Sequence, residues 1–422
     1  MKDNFNMRKK EECLMSYSIH KKLRNKNRIL IILNIILIVL ISLCLIYVQI
    51  FREIKLNGPA EVHLEIGQKY VDQGVNLKLA RKTGKVDTRK AGEYKIKYTF
   101  FHQSVTRKIV VVDKSDIVMG LKGSQHTLIR EGDPYIESGA FATDKKSGPI
   151  ANSKIKIAGK VDSSTPGKYK IKYSVQLGAK KESINRIVEV IKNSEFKANK
   201  DGIPVMMYHY VYTETDKPKN VGTNHILDTD LEQQFKYLKQ NNYYYPSYKE
   251  LRAYIDGKIE LPANSVILTF DDGEIGFLTY GIKLAEKYKI PITSFIIVSD
   301  DEGHKVRDYA STYVQFQTHS YDMHRAGGNI GHGGRISAMT KDEIIEDLKK
   351  STKACGNNEA FAYPFGDCTN DAKSATEEAG IICSFTTEYG KVKKHADYRA
   401  LPRVRVSGSN SLDIWKTSIS GT

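Results

Sequence analysis

The stretch SVILTFDDGE, residues 265–274, decides how the second half of this chain folds. Val266, Ile267, Leu268, Thr269 and Phe270 form an uninterrupted apolar or β-branched run, the pattern of a strand buried on both faces in a parallel sheet. The run then meets Asp271, Asp272 and Gly273. A buried carboxylate is costly unless it is paired or binds a metal. One aspartate could therefore hold a metal while its neighbour stays ionised as a base. A solvated Asp-Asp-Gly turn is the plain alternative.

Working outward, similar short runs recur on both sides: 204–211, 292–298, 314–319, 360–365, 381–387 and 400–406. Helical patterns separate them. TDLEQQFKYLKQ (229–240) places Leu231, Phe235 and Leu238 on one face, with Thr229 and Glu232 at capping-box spacing. TKDEIIEDLKKSTKACG (340–356) repeats the device with Thr340 and Glu343, and Gly356 stops it. Strand–helix alternation over 203–422 predicts a parallel α/β barrel, in which reactive residues gather at the C-terminal ends of the strands.

Two further strand ends carry chemistry. THSYDMH (318–324) holds His319 and His324 five residues apart. On a helix that spacing separates them by about 140°, so they converge only through a strand end followed by a turn. Two imidazoles and a carboxylate make a three-ligand site with positions left for water and substrate. AYPFG (362–366) ends another strand, and its turn could aim backbone N–H groups at a developing oxyanion.

Together TFDDG (269–273), HSYDMH (319–324) and AYPFG (362–366) resemble carbohydrate esterase family 4, the metal-dependent polysaccharide deacetylases also called NodB-homology enzymes. The resemblance spans roughly 203–416 and implies a distorted β/α barrel. It also implies Asp271 as general base, Asp272, His319 and His324 as metal ligands with Zn²⁺ the expected ion, and the Phe365 N–H at the oxyanion. The five-residue histidine spacing, PVMMYH (204–209) and LPRVRV (401–406) look like the poly-N-acetylglucosamine deacetylase branch. That likeness makes Arg403 the partner that keeps Asp271 ionised. It places His209, Tyr363 and Pro364 with the substrate. The family's late Leu-x-His, which usually carries the general acid, is missing; His332 in GGNIGHGGR (327–335) is one substitute, and Asp322 is a candidate to support the two histidines.

The first half is different. EIGQKYVDQGV (65–75) lines up with REGDPYIESGA (130–140), and GKVDTRKAGEYKIKYTF (84–100) with GKVDSSTPGKYKIKYSV (159–175). The offset grows from 65 to 75, so the second copy carries about ten extra residues near 144–155. Each copy alternates polar and apolar residues in Tyr-Lys-Ile-Lys-Tyr, the period of a strand. These copies, 54–113 and 116–192, resemble bacterial Ig-like repeats of surface proteins and are expected to be two small β-sandwiches acting as spacers, with 193–202 as a linker.

Ahead of them, residues 29–51 are almost wholly apolar. The stretch 29–50 covers about 33 Å as a helix, enough to cross a bilayer core of roughly 30 Å. Residues 1–28 carry nine Lys or Arg against three acids, which predicts a cytoplasmic N-terminus and an extracellular remainder. A cleaved signal peptide is the alternative reading. The net charge of +16 then suits an anionic surface or wall polymer, since export argues against nucleic acid. Cys13 falls on the cytoplasmic side and Cys44 within the membrane in this reading; only Cys355, Cys368 and Cys383 are extracellular, so one disulfide at most is expected. The whole reads as a single-pass, membrane-anchored protein with an extracellular, metal-dependent deacetylase for glycans containing N-acetylglucosamine. The alternative is a glycan-binding surface protein with weak or no catalysis.

Overall fold

The computed structural model describes residues 2–51, 53–112, 116–178 and 180–420. They divide into two compact units, Met1–Lys114 and Ser115–Thr422.

The first unit opens with one helix, Lys2–Phe51, whose stretch Leu14–Tyr47 is long and apolar enough to cross a membrane. Its repeat forms a four-stranded sheet in the order Glu61–Glu65, Gln103–Val112, Gly92–Phe100, Arg81–Thr83. Ile96, Tyr98 and Phe100 are buried while Lys95 and Lys97 are exposed, as the alternation predicts. Among the described residues, the expected two-sheet sandwich is complete only in the second repeat. There a four-stranded sheet of Lys156–Ala158, Gly167–Leu177, Lys180–Ile191 and His126–Arg130 is joined by a three-stranded sheet, Ile117–Leu121, Ala140–Asp144 and Gly148–Ile150. Part of the second copy's insertion supplies the Gly148–Ile150 strand. Among the described residues of the first copy, a single bridge between Leu56 and Val75 stands where that second sheet would begin.

A buried arginine ties each repeat together. Arg107 donates to the Asp72 carboxylate at 3.0 Å and to the Pro59 carbonyl at 3.0 Å; Tyr98 donates to the same carboxylate. Its counterpart Arg186 donates to the Lys122 and Gly139 carbonyls at 2.9 Å each, and Tyr173 donates to Glu137. A buried guanidinium needs its donors satisfied, and these acceptors do that.

The second repeat is not a free spacer. It packs against the C-terminal half within one unit. Gly123 lets the chains meet, since a Cβ there would lie 2.8 Å from the Ser247 nitrogen. Ser124 and Tyr245 exchange two hydrogen bonds of 2.8 Å, and Ser138 donates to Glu250 at 3.1 Å. Lys122 reaches Glu359 at 2.9 Å and Asn357 at 3.0 Å, with both charged side chains almost wholly buried, 3% and 4% exposed. The 193–202 stretch is likewise tied down, with Asn199 donating to the Leu261 carbonyl and Ala263 to that of Lys197. Removing one partner of a buried pair strands the other charge, at a cost of about 3–5 kcal/mol. Lys122→Ala should therefore lower the unfolding free energy of this unit by about 3 kcal/mol or more, read from denaturant midpoints. The double change Lys122→Met with Glu359→Gln should recover most of it; equal losses in both variants would contradict this account.

The C-terminal half is built on seven parallel strands: Val205–Tyr208, Ile267–Phe270, Ile292–Ile296, Val314–Thr318, Ala360–Ala362, Cys383–Tyr389 and Leu401–Arg405. They pair in chain order, and the seventh closes on the first through Met206 and Val404. Alternate residues join different parts of the core: Val205 and Ile267 pack with Phe295 and Phe385, while Met206 and Leu268 pack with helix residues Leu231 and Phe235. Tyr244, Tyr245 and Tyr248 are buried in this core.

The helix Asp228–Gln240 starts one residue earlier than expected, and Thr229 does not cap it. Glu232 instead accepts from Lys287 and Tyr288, both at 2.5 Å. The Thr340–Glu343 capping box forms as expected and Gly356 ends its helix at φ 64°. Ser247 and Glu250 form a second box. Cys355, Cys368 and Cys383 are all free thiols, so the possible disulfide is absent.

Candidate active site

Asp271 ends the second strand in register, its N–H donating to the Tyr208 carbonyl at 2.9 Å. Asp272 and Gly273 then both adopt left-handed backbone, φ 69° and 62°. This pair of residues reverses the strand's alternation, so both carboxylates face one cleft. At Gly273 a Cβ would press to 2.8 Å from Ile296, which reserves the position for glycine.

Arg403, from the seventh strand, is fully buried and grips Asp271 with two parallel bonds, Nη1 to Oδ1 at 2.8 Å and Nη2 to Oδ2 at 2.7 Å. Burial alone would push the Asp271 pKa up; the Arg403 charge and its hydrogen bonds outweigh that and hold it below the usual carboxylate range. Arg403 is itself fixed by the Thr386 carbonyl at 3.0 Å.

His319 and His324 converge through a turn, as their spacing demands. Ser320 takes φ 99°, and the Asp347 carboxylate accepts from the Tyr321 N–H at 2.6 Å and the Asp322 N–H at 2.8 Å. Asp347 lies on the Lys341–Cys355 helix, so that helix shapes the turn. His319 Nδ1 lies 2.7 Å from the Ala362 carbonyl oxygen, which makes Nδ1 a protonated nitrogen, so that His319 in its neutral form offers the Nε2 lone pair to the cleft. The His324 ring stacks on Phe365, centroids 4.4 Å apart. Asp322 turns to Arg325 and Arg335 and supports neither imidazole directly.

Asp272 Oδ1 lies 3.3 Å from His319 Nε2 and 3.4 Å from His324 Nε2. It is buried and no hydrogen bond is aligned on it. The three donor atoms lie within 4.8 Å of one another. An orphaned carboxylate oxygen facing two imidazole nitrogens is the arrangement a divalent cation satisfies, and the donor set suits zinc. Burial raises the Asp272 pKa, but the neighbouring imidazoles hold it well below the usual range. Burial pushes His324 down, aided by the His319 charge; in His319, contact with Asp272 and the charge of Asp271 outweigh burial and raise it.

These groups line a cleft of 310 Å³ together with His209, Tyr210, His332 and Arg405. His209 has its Nδ1 buried without a partner. Tyr363 serves as wall and core instead of offering a hydroxyl to a ligand: it is fully buried and its OH donates to the Arg399 carbonyl at 2.8 Å. Pro364 is buried in the turn and does not line the cleft. Phe365, at φ 59°, does line it. Asp347 and Asp367 are missed by motif reading because each acts on backbone N–H groups distant in sequence. Asp367 accepts from the His332 and Gly334 N–H groups, both at 2.7 Å.

Residues 258–383 match the polysaccharide deacetylase family model, and residues 54–111 and 119–190 match that of the bacterial surface protein Ig-like domain. A poly-beta-1,6-N-acetyl-D-glucosamine N-deacetylase of Staphylococcus aureus (strain MRSA252) is 27% identical over 215 residues, spanning 47% of this chain and 72% of that protein. One from Staphylococcus epidermidis is 24% identical over 242 residues, spanning 51% of this chain and 83% of that protein. Among solved structures, the Streptococcus pyogenes deacetylase PplD in complex with acetate aligns at 21% identity and a TM-score of 0.45, covering 52% of this chain and 98% of that one.

Proposed function

This chain carries a polysaccharide deacetylase domain behind two Ig-like domains, and from that premise we propose that it is a membrane-anchored, metal-dependent N-deacetylase of extracellular glycans containing N-acetylglucosamine. Poly-β-1,6-N-acetylglucosamine is the first candidate, because the curated relatives are named for that substrate. The observation that carries the reading is the meeting, in one cleft, of an arginine-held carboxylate and a carboxylate–imidazole trio.

A divalent cation held by Asp272, His319 and His324 would polarise the acetamide carbonyl and acidify a water molecule. Asp271, kept ionised by Arg403, takes the proton of the attacking water. The Phe365 amide, in the left-handed turn beside the cleft, donates to the oxygen that gains charge. The proton that Asp271 gains is handed on to the sugar nitrogen, with His209 of the same cleft as the relay, as the bond from nitrogen to the acetyl carbon breaks, so acetate and a free amine leave. The buried Nδ1 of His209 has no hydrogen-bond partner, which supports this role where the Leu-x-His motif is missing. The helix over Leu14–Tyr47 would hold this domain at the outer face of the membrane.

The test is acetate release by the full-length protein from β-1,6-linked N-acetylglucosamine oligomers and from peptidoglycan. Release from the first at the higher kcat/KM is expected. Tight binding of the oligomers with no acetate would leave a glycan-binding protein in place of an enzyme.

A further inference from the structure

The stretch between the histidine ligands and the next helix, RAGGNIGHGGR (325–335), has no part in holding the metal site, yet it reaches the cleft. It is a closed loop. Arg335 donates to the Arg325 carbonyl at 2.8 Å, Gly327 and Gly328 both donate to that of Gly333, and Gly333 donates to that of Ile330. His332 stands exposed on this loop and lines the cleft beside the site groups.

What fixes the loop is Asp367, directly after the AYPFG turn. Its carboxylate is 4% exposed and takes the His332 N–H on Oδ1 and the Gly334 N–H on Oδ2, each at 2.7 Å. A buried carboxylate spent on two backbone donors of a surface loop is costly unless those bonds form. The glycines are shaped to it. A Cβ at Gly331 would lie 2.1 Å from Asp367 Oδ1, and one at Gly334 2.7 Å from the Phe365 ring. The loop is therefore seated on the same turn whose ring stacks on His324.

We propose that this loop is the wall of the cleft that selects the glycan. His332 hydrogen-bonds the sugar next to the one losing its acetyl group, and Asp367 is the positioning residue that holds His332 there. The inference rests on the deacetylase reading and adds the determinant of substrate length to it: a single N-acetylglucosamine unit cannot use this contact, whereas an oligomer can.

The test compares His332→Ala, Asp367→Ala and Asp367→Asn with the wild type in the full-length protein, on the monosaccharide and on oligomers. His332→Ala should raise KM for oligomers about 2- to 10-fold, the worth of one hydrogen bond, with a smaller effect on the monosaccharide and with metal content retained. Asp367→Ala should raise oligomer KM at least as much, with metal retained, and should open the loop to trypsin after Arg325 and Arg335. Asp367→Asn keeps one acceptor oxygen and should fall between. Unchanged oligomer KM in His332→Ala would overturn the proposal. So would loss of metal and kcat in Asp367→Ala with KM intact, which marks a purely structural aspartate. If the wild type releases no acetate at all, the deacetylase reading fails instead. Oligomer binding by wild type and His332→Ala then decides the loop alone, and equal affinities would sink it.

Discussion

Asp271→Asn will lower kcat for acetate release by about 10²–10⁴-fold while the bound metal stays in place. The amide is nearly the same shape as the carboxylate but cannot accept a proton at the pH of the reaction. It also turns an NH₂ group towards one arm of the Arg403 guanidinium, which now meets Oδ1 and Oδ2 at 2.8 and 2.7 Å. The proposed metal trio is Asp272 with the two histidines, so its donor set is untouched. Steady-state kinetics with metal analysis checks this. Activity within a few-fold of wild type would remove Asp271 as the base.

Arg403→Met will destabilise the C-terminal unit by about 3–5 kcal/mol and move the acid limb of the rate profile to higher pH. In the wild type the folded Asp271 pKa is depressed, burial being outweighed by the Arg403 charge. Asp271 therefore adds stability above its unfolded pKa of about 3.9, and that stability is lost as pH falls through the folded value. Without Arg403 only burial of the group and weaker neighbours remain, so the folded pKa is raised. The sign then reverses: the variant is penalised once pH rises above the unfolded value, and the penalty is complete above the folded one. Denaturant midpoints for Arg403→Met should fall further behind wild type at pH 8 than at pH 5. The double variant Asp271→Leu with Arg403→Met should regain stability without activity, which separates the fold from the chemistry. A loss independent of pH would contradict the pairing.

Much of this site is legible in the sequence because its groups lie at strand ends. The run before Asp271 specifies a buried strand, and the five-residue gap between His319 and His324 excludes a shared helix face and demands a turn. The structure supplies that turn through Ser320 and Asp347. Asp347 is illegible in one dimension: it lies 25 residues beyond Asp322 and acts on main-chain groups that any residue offers. Asp367 escapes for the same reason, and the repeat arginines because Arg107 and Arg186 read as ordinary polar positions of a strand. The docking of the second repeat is hidden too. Its key residue, Lys122, stands where the first copy has an exposed Asn57, and only the partner Glu359 reveals why a lysine is buried there. Tyr363 is legible only in part: it lines the cleft, as its motif position implied, but its hydroxyl is held by the Arg399 carbonyl.

The central claim is that Asp272, His319 and His324 hold one divalent cation and that turnover depends on it. The direct measurement is the number of metal ions per chain, taken alongside acetate release, in full-length wild type, Asp271→Asn and Asp272→Ala supplied with Zn²⁺. The account predicts one ion and activity in the wild type, one ion without activity in Asp271→Asn, and neither in Asp272→Ala. A full complement of metal in Asp272→Ala, or acetate release that persists there, would contradict it.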